Sequence, residues 1–201
     1  EAPELVITDP APVCSPNTVD ITAAAITAGS DAGLVLSYWR DDAATIALNN
    51  ANAIPQSGTY FIRAVNSNGC TDVKPVNVVV HALPEVSISG VDSLCLGLST
   101  DLNIRFKGTG PWSFSYSDGT QTYTINNHGS DLYKLKVKPD ATTKYTILTV
   151  SDRNCSITAN GVEHTLWITY PIPGTTLPPV FTNGNTPTPL QARDLGPHYN
   201  M

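Results

Sequence analysis

The sequence predicts an all-β protein built from two β-sandwich domains in tandem. Three observations carry that expectation: a motif written twice, a series of short alternating segments, and a composition rich in turn formers and poor in charge. The motif is "TYFIRAVNSNGC" at 59–70 and "KYTILTVSDRNC" at 144–155. Each copy opens on a polar residue and a Tyr, alternates apolar and polar side chains, turns through polar residues and closes on Cys. Tyr60 precedes Cys70 by ten positions, and Tyr145 precedes Cys155 by ten. A repeat of that period in 201 residues divides the chain into two domains of ordinary size, 1–83 and 84–172, followed by a tail, 173–201. "HALPEV" at the boundary puts a Pro between two strands, a short stiff linker between tandem modules.

Charged residues are only 14% of the chain, and Thr, Ser, Asn, Gly and Pro abound, as in extracellular β proteins. A net charge of −6 with scattered basic residues opposes nucleic-acid binding, which needs clustered Lys and Arg. A membrane-surface helix has no support, and no apolar run is long enough to span a bilayer. The chain opens on "EAPELVITDP" without an initiator Met or a signal peptide, so it is expected to be a mature or excised piece of a secreted precursor.

In the first domain the alternation predicts strands at Glu4–Thr8, Thr18–Ala23, Leu34–Trp39, Thr59–Val65 and Val73–Val80. The stretch 41–56 reads as a loop with a short edge strand, because an Asn pair and Pro55 outweigh its alanines. In the second domain it predicts Glu85–Ser89, Thr100–Phe106, Trp112–Ser117, Thr122–Asn126, Leu132–Val137, Lys144–Val150 and Gly161–Thr169. "SDGT", "NNHGS" and "KPDATT" supply turns between them. Tyr145, Ile147 and Thr149 are expected on one buried face, with Tyr60, Ile62 and Ala64 as counterparts. Leu102, Ile104 and Phe106 share another face, and Val162, His164, Leu166 and Ile168 a third.

Cys14, Cys70, Cys95 and Cys155 lack the close spacing of a zinc or redox motif. Free buried thiols are one possibility. Disulfides fit the extracellular composition better. Of the three pairings, Cys14–Cys70 with Cys95–Cys155 keeps each bridge inside one repeat and is the expected one. Such bridges would pin one end of each sandwich.

Tyr60 and Tyr145 stand where immunoglobulin-like sandwiches place a corner tyrosine, whose hydroxyl bonds back to the backbone. A plain core Tyr is the alternative. Trp39 and Trp112 fall on the third strand, where such folds bury a Trp, and are expected in the cores. The architecture is therefore two tandem immunoglobulin-like β-sandwiches with an extended Pro-rich tail.

"VCSPNTVDITA", with "YWRDDAATIALNNANAIPQSGTYFIRAVNSNGCTDVKPVNVVV", resembles the Ig-like repeats of large secreted surface proteins of the Bacteroidetes. "GTGPWSFSYSDGT", with "YKLKVKPDATTKYTILTVSDRNC", resembles the PKD-like repeat often found beside them. The resemblance covers about residues 4–170. It implies a rod-like segment of a cell-surface adhesin or filament, of the gliding-motility type exported by type IX secretion. It supplies no catalytic residue. The C-terminal sorting domain of such proteins is not visible, so a fragment, or a subunit reaching the surface by another arrangement, is expected.

Nothing in the sequence marks an enzyme. No nucleophile elbow, H-E-x-x-H or phosphate-binding Gly loop occurs. His81, His128, His164 and His198 are scattered, and His164 reads as a structural side chain on an apolar face. Asp31, Asp41 and Asp42 lack a calcium-loop pattern, so solvated loops are expected and no cofactor is assigned. "DSL" at 92–94 matches a Bacteroidetes O-glycosylation signal, with Ser93 as the candidate acceptor in a turn. "NCS" at 154–156 carries no weight in a bacterial protein.

Seven prolines in the 31 residues from Pro171 oppose a helix or a central strand. The tail nevertheless carries Leu177, Val180, Phe181, Leu190, Leu195 and Tyr199. It reads as a linker, or as a segment that docks on a partner by adding a strand.

The expected role is a structural or adhesive module on a bacterial cell surface. Its partners are neighbouring domains or subunits of an assembly and candidate glycans, with no nucleic acid and no membrane insertion. Recognition is expected in loops 40–56 and 117–131, where "YSDGTQTY" sets aromatics beside polar groups. Two rivals are a carbohydrate-binding accessory module of a secreted enzyme, read through Tyr116 and Tyr123, and a self-assembling filament subunit connected by its tail.

Overall fold

The computed structural model describes residues 1–170, and those residues form an all-β structure with two separate apolar cores. The first half contains β1 (Val13–Cys14), β2 (Val35–Trp39), β3 (Gly58–Val65), β4 (Thr71–Val78) and β5 (Val80–His81). β2, β3 and β4 form an antiparallel sheet, and β1 pairs in parallel with β5. Ile62 and Ala64 of β3 alternate inward and meet Val76 and Val78 of β4 in a core closed by Leu5, Val19, Ile21, Ile26, Leu48 and Ile54.

Two expected strands, Glu4–Thr8 and Thr18–Ala23, are not strands. Their backbone groups find single partners in place of a ladder. Thr8 N–H donates to Ile26, Glu4 C=O accepts from Asp31, and Val19 exchanges two bonds with Ile54. Pro3, Pro10, Pro12 and Pro16 withhold four N–H groups from this region. The apolar residues still bury, with Leu5 and Val19 at 4% and 3% exposure.

The second half contains β6 (Glu85–Ser89), β7 (Ser93–Cys95), β8 (Thr100–Lys107), β9 (Trp112–Ser117), β10 (Thr122–His128), β11 (Leu132–Val137), β12 (Thr143–Ser151), β13 (Ser156–Thr158) and β14 (Glu163–Thr169). β11, β8 and β6 make one sheet. β10, β9, β12, β14 and β7 make the other, with β13 on the end of β12. Leu102, Ile104 and Phe106 of the first sheet pack against Phe114, Tyr116, Tyr145, Ile147 and Leu166 of the second. Every strand expected in this half is present; β7 and β13 are additional.

Thr149, expected on the buried face of β12, is exposed, and Val150 is buried in its place. The register against β9 shifts between Ile147 and Thr149. That bulge reverses which face the following residues present.

β5 leads through Ala82, Leu83 and Pro84 directly into β6. Pro84 is fully buried, and the two cores share no residue.

Candidate functional site

The cysteines correct the expected pairing. Cys14 bonds Cys155, with Cα atoms 5.9 Å apart across a separation of 141 residues, while Cys70 and Cys95 are free. The bridge therefore joins the two domains. The reason is strand direction. β3 begins beside the linker, where Ser57 Oγ accepts from Val80 N–H and donates to its C=O, and ends in the turn that carries Cys70. Eight residues of strand, about 26 Å, therefore separate the two ends of the first domain. Cys14 sits at one and Cys70 at the other, so no bridge between them forms.

Three segments build the junction. Cys14 is held beside the linker by the β1–β5 pairing, in which Cys14 lies opposite His81 and Ser15 N–H donates to His81 C=O at 2.9 Å. The loop after β12 carries Cys155 and is shaped by Asp152, whose carboxylate accepts from the N–H groups of Asn154 and Cys155, both at 2.8 Å. The loop after β8 completes the clamp: Thr109 N–H donates to Asp152 at 2.9 Å, and Arg153 N–H donates to Thr109 C=O. Burial opposes ionisation of Asp152, but the N–H donors of Thr109, Cys155 and Asn154, with His81 nearby, outweigh it and hold the carboxyl below its ordinary value. Gly108, at φ +139°, lets this loop lie against the linker. A Cβ there would stand 2.7 Å from Asp152 Oδ2 and 3.5 Å from Pro84 Cα. A shallow cavity of about 540 Å³ opens beside the linker, lined by Ser15, Gln56, Ser57, His81 and Pro84 among others.

A second site is an open cleft of about 630 Å³ in the second domain. Tyr116, Tyr123 and Tyr145 line it on one side, Lys136, Lys138 and Asp140 on the other. Tyr116 and Tyr123 face each other across the β9–β10 pair and stack at 5.0 Å between centroids, 19° from parallel. Asp118 organises the turn between them. It accepts from Thr120 N–H and Oγ, Gln121 N–H and the Tyr123 hydroxyl. The Gln121 N–H, then the Thr120 donors, hold its carboxyl well below the usual carboxylate range. Burial, then neighbouring phenols and Asp118, push the Tyr116 hydroxyl up to about 12.

The other expected residues fall as follows. Trp112 is buried and stacks on Phe106, with centroids 5.8 Å apart. Trp39, expected in a core, is half-buried and outside it. Alternation along β2 gives the inner face to Leu36 and Tyr38, and the Trp39 indole N–H donates to Ser37 Oγ instead. Tyr60 donates its hydroxyl to Gln56 C=O four residues upstream, the corner geometry, while Tyr145 lines the cleft. Ser93 is exposed but begins β7, paired with Trp167, where a turn was expected. Asp41 accepts from Thr45 and Ile46 N–H, and Asp31 from Glu4 N–H, so their oxygens serve loop structure. Among the described residues no three metal-binding side chains converge. His164 Nε2 donates to Val91 C=O, and His128 Nε2 to Leu132 C=O. His198 and the tail residues Leu177, Val180, Phe181, Leu190, Leu195 and Tyr199 lie outside the described residues.

Sequence reasoning placed Pro84 in the linker without its burial, and missed the junction residues Gly108 and Asp152. One signal was available. Pro3 precedes Cys14 by eleven positions and Pro84 precedes Cys95 by eleven, so both domains begin alike, with a buried Pro at the entry.

No protein-family model matches the chain. A curated relative, nucleoporin pom152 of Schizosaccharomyces pombe, is 30% identical over 95 residues, which is 40% of this chain and 7% of that protein. Among solved structures, the I-band fragment I67–I69 of titin superposes with a TM-score of 0.53 at 11% identity, covering 85% of this chain and 67% of that one. The insect immune protein hemolin gives a TM-score of 0.42 at 10% identity, too low to carry an argument. The titin likeness shows the fold: this chain has the architecture of tandem immunoglobulin-like domains.

Proposed function

We propose that this chain is a non-catalytic, structural or adhesive module of a bacterial cell-surface adhesin or filament, with domains dividing at residues 83 and 84. The observation that carries the reading is the Cys14–Cys155 bond. A bridge between domains adds nothing to either core. It restrains the angle between them, which serves a rod more than a flexible enzyme linker. A disulfide fits an oxidising compartment, and among the described residues no helix is long and apolar enough to cross a membrane. The resemblance to Bacteroidetes surface repeats, Ig-like in the first half and PKD-like in the second, supports a cell-surface location reached by type IX secretion. Small-angle scattering of the full chain tests the mechanical part. The oxidised chain should scatter as one elongated particle with a fixed interdomain angle, and reduction should broaden its distance distribution. No change on reduction would remove the role of the bridge. Antibody labelling of intact, unpermeabilised source cells tests the location; signal only after permeabilisation would contradict it.

A second reading is favoured by the stacked Tyr116–Tyr123 pair. An aromatic platform beside Asp118, Lys136 and Asp140 has the chemistry to bind a glycan, one pyranose face on Tyr123 and hydroxyls on the charged rim. Glycan-array binding that survives Tyr123→Ala would exclude it.

A further inference from the structure

We propose that Cys70 and Cys95 are the open ends of an interdomain disulfide ladder, each placed to bond a cysteine of another copy of this module. The proposal rests on the rod reading above.

The four cysteines are of two structural kinds. Cys14 and Cys95 form the first. Each ends a short strand paired in parallel with the last strand of its own domain: Cys14 opposite His81, Cys95 opposite Thr169. In each, the next residue donates its N–H to the residue opposite the cysteine, Ser15 to His81 and Leu96 to Thr169, both at 2.9 Å. In each, the cysteine C=O accepts from the residue three positions on, Asn17 at 2.9 Å and Leu98 at 3.1 Å.

Cys70 and Cys155 form the second kind. Each follows the turn after the strand that carries Tyr60 or Tyr145, β3 or β12. An Asn or Asp side chain at the head of the turn accepts from the cysteine N–H, Asn66 for Cys70 at 3.0 Å and Asp152 for Cys155 at 2.8 Å. The same oxygen accepts from Asn68 N–H in one domain and Asn154 N–H in the other.

Within the chain, the first-kind cysteine of the first domain bonds the second-kind cysteine of the second. One cysteine of each kind is left, and they sit at opposite ends. Cys70 lies at the outer end of β3, where Asn66 also holds Glu1 C=O. Cys95 lies where β14 ends, at the far end of β12 from Cys155. β3 and β12 in turn place them on the order of 50 Å apart, so they do not meet within one chain. Both ends present apolar side chains to cover: Leu96 and Leu98 beside Cys95 are 40% and 56% exposed, and Val35, paired with Val65 at the outer end of β3, is 69% exposed. The junction geometry repeated head to tail brings Cys95 of one copy to Cys70 of the next. Two thiols become one S–S bond there, and the two protons and two electrons reduce a disulfide oxidant, RSSR, to two RSH.

The test uses the full chain. Equimolar Cys70→Ser and Cys95→Ser variants, one isotopically labelled, are equilibrated in a glutathione redox buffer with Cys14–Cys155 intact. The expected product is the mixed dimer joined Cys95 to Cys70, exceeding either like dimer by about tenfold, which is about fivefold above the statistical ratio and a preference of about 1 kcal/mol. Peptide mapping of the oxidised wild type should recover a Cys70–Cys95 linked peptide in species above monomer mass. A statistical half share of mixed dimer, a majority of like dimers, or no dimer at all overturns the ladder. So does a wild-type map that links Cys70 to Cys14. Those results leave the scattering test of the single rod untouched, so the two readings fail separately.

Discussion

Cys14 and Cys155 are bonded across 141 residues, and the bond closes the hinge between two domains whose cores have no residue in common. A loop of that length constrains the unfolded chain by about 5 kcal/mol on a chain-entropy argument. The constraint also acts on the folded chain, where it fixes one domain against the other.

Reduction of that bond should therefore uncouple the domains without unfolding them. In calorimetry the oxidised chain is expected to melt in one broad or two overlapping transitions, and Cys14→Ser in two resolved ones of lower midpoint. Phe114→Ala, which removes a ring at 2% exposure, should cost about 3–5 kcal/mol in the second domain and leave the first transition in place. Loss of both transitions together would mean that the cores are not independent.

Gly108→Ala should loosen the junction. The new Cβ meets Asp152 at 2.7 Å, and the φ of +139° strains any L side chain. A loss of about 1–3 kcal/mol in the second domain is expected. A broadened interdomain distance distribution with Cys14–Cys155 still formed is the accompanying signature. A variant that melts and scatters as wild type would show that the close approach is dispensable.

The turn at Asp118 should respond to acid. Its carboxyl is held below its unfolded value, so its contribution is complete above about pH 4 and is lost as pH falls through the folded value. Melting temperatures of wild type and Asp118→Asn should differ by a constant amount from pH 7 to 5 and converge below. A gap that widens on acidification would reverse the assignment.

The tyrosines of the cleft should separate binding from folding. Tyr116 is 8% exposed and belongs to the core, so Tyr116→Ala should cost about 3–5 kcal/mol. Tyr123 is 37% exposed. Tyr123→Ala should cost about 1 kcal/mol, the scale of a cross-strand pair, while removing the open face of the stack. Chemical denaturation of the two variants distinguishes them; equal losses would place Tyr123 in the core.

The longer strands of the second half were legible, because most of their segments alternate and are bounded by turn residues; the three-residue β7 and β13 are too short to show a pattern. The first half was less so. Its opening residues bury apolar side chains as strands do, but prolines deny them the N–H groups a ladder needs. Local pattern also misplaced Thr149, since a bulge changes facing without changing the alternation before it. Trp39 was assigned by analogy of position, and its own strand's alternation turns it outward. The cleft was half visible: "YSDGTQTY" marked one wall, but Lys136, Lys138 and Asp140 come from β11, in the other sheet, and the loop after it.

The amino-acid sequence by itself determined two β-sandwiches and most of the strands that build them, because alternation and turn chemistry act between near neighbours. Only the tertiary structure decided which sulfurs meet. Strand direction carries Cys70 to one end of its domain and leaves Cys14 at the other, so the equal spacing of the two repeats, which invites a bridge inside each, gives way to a bond between them.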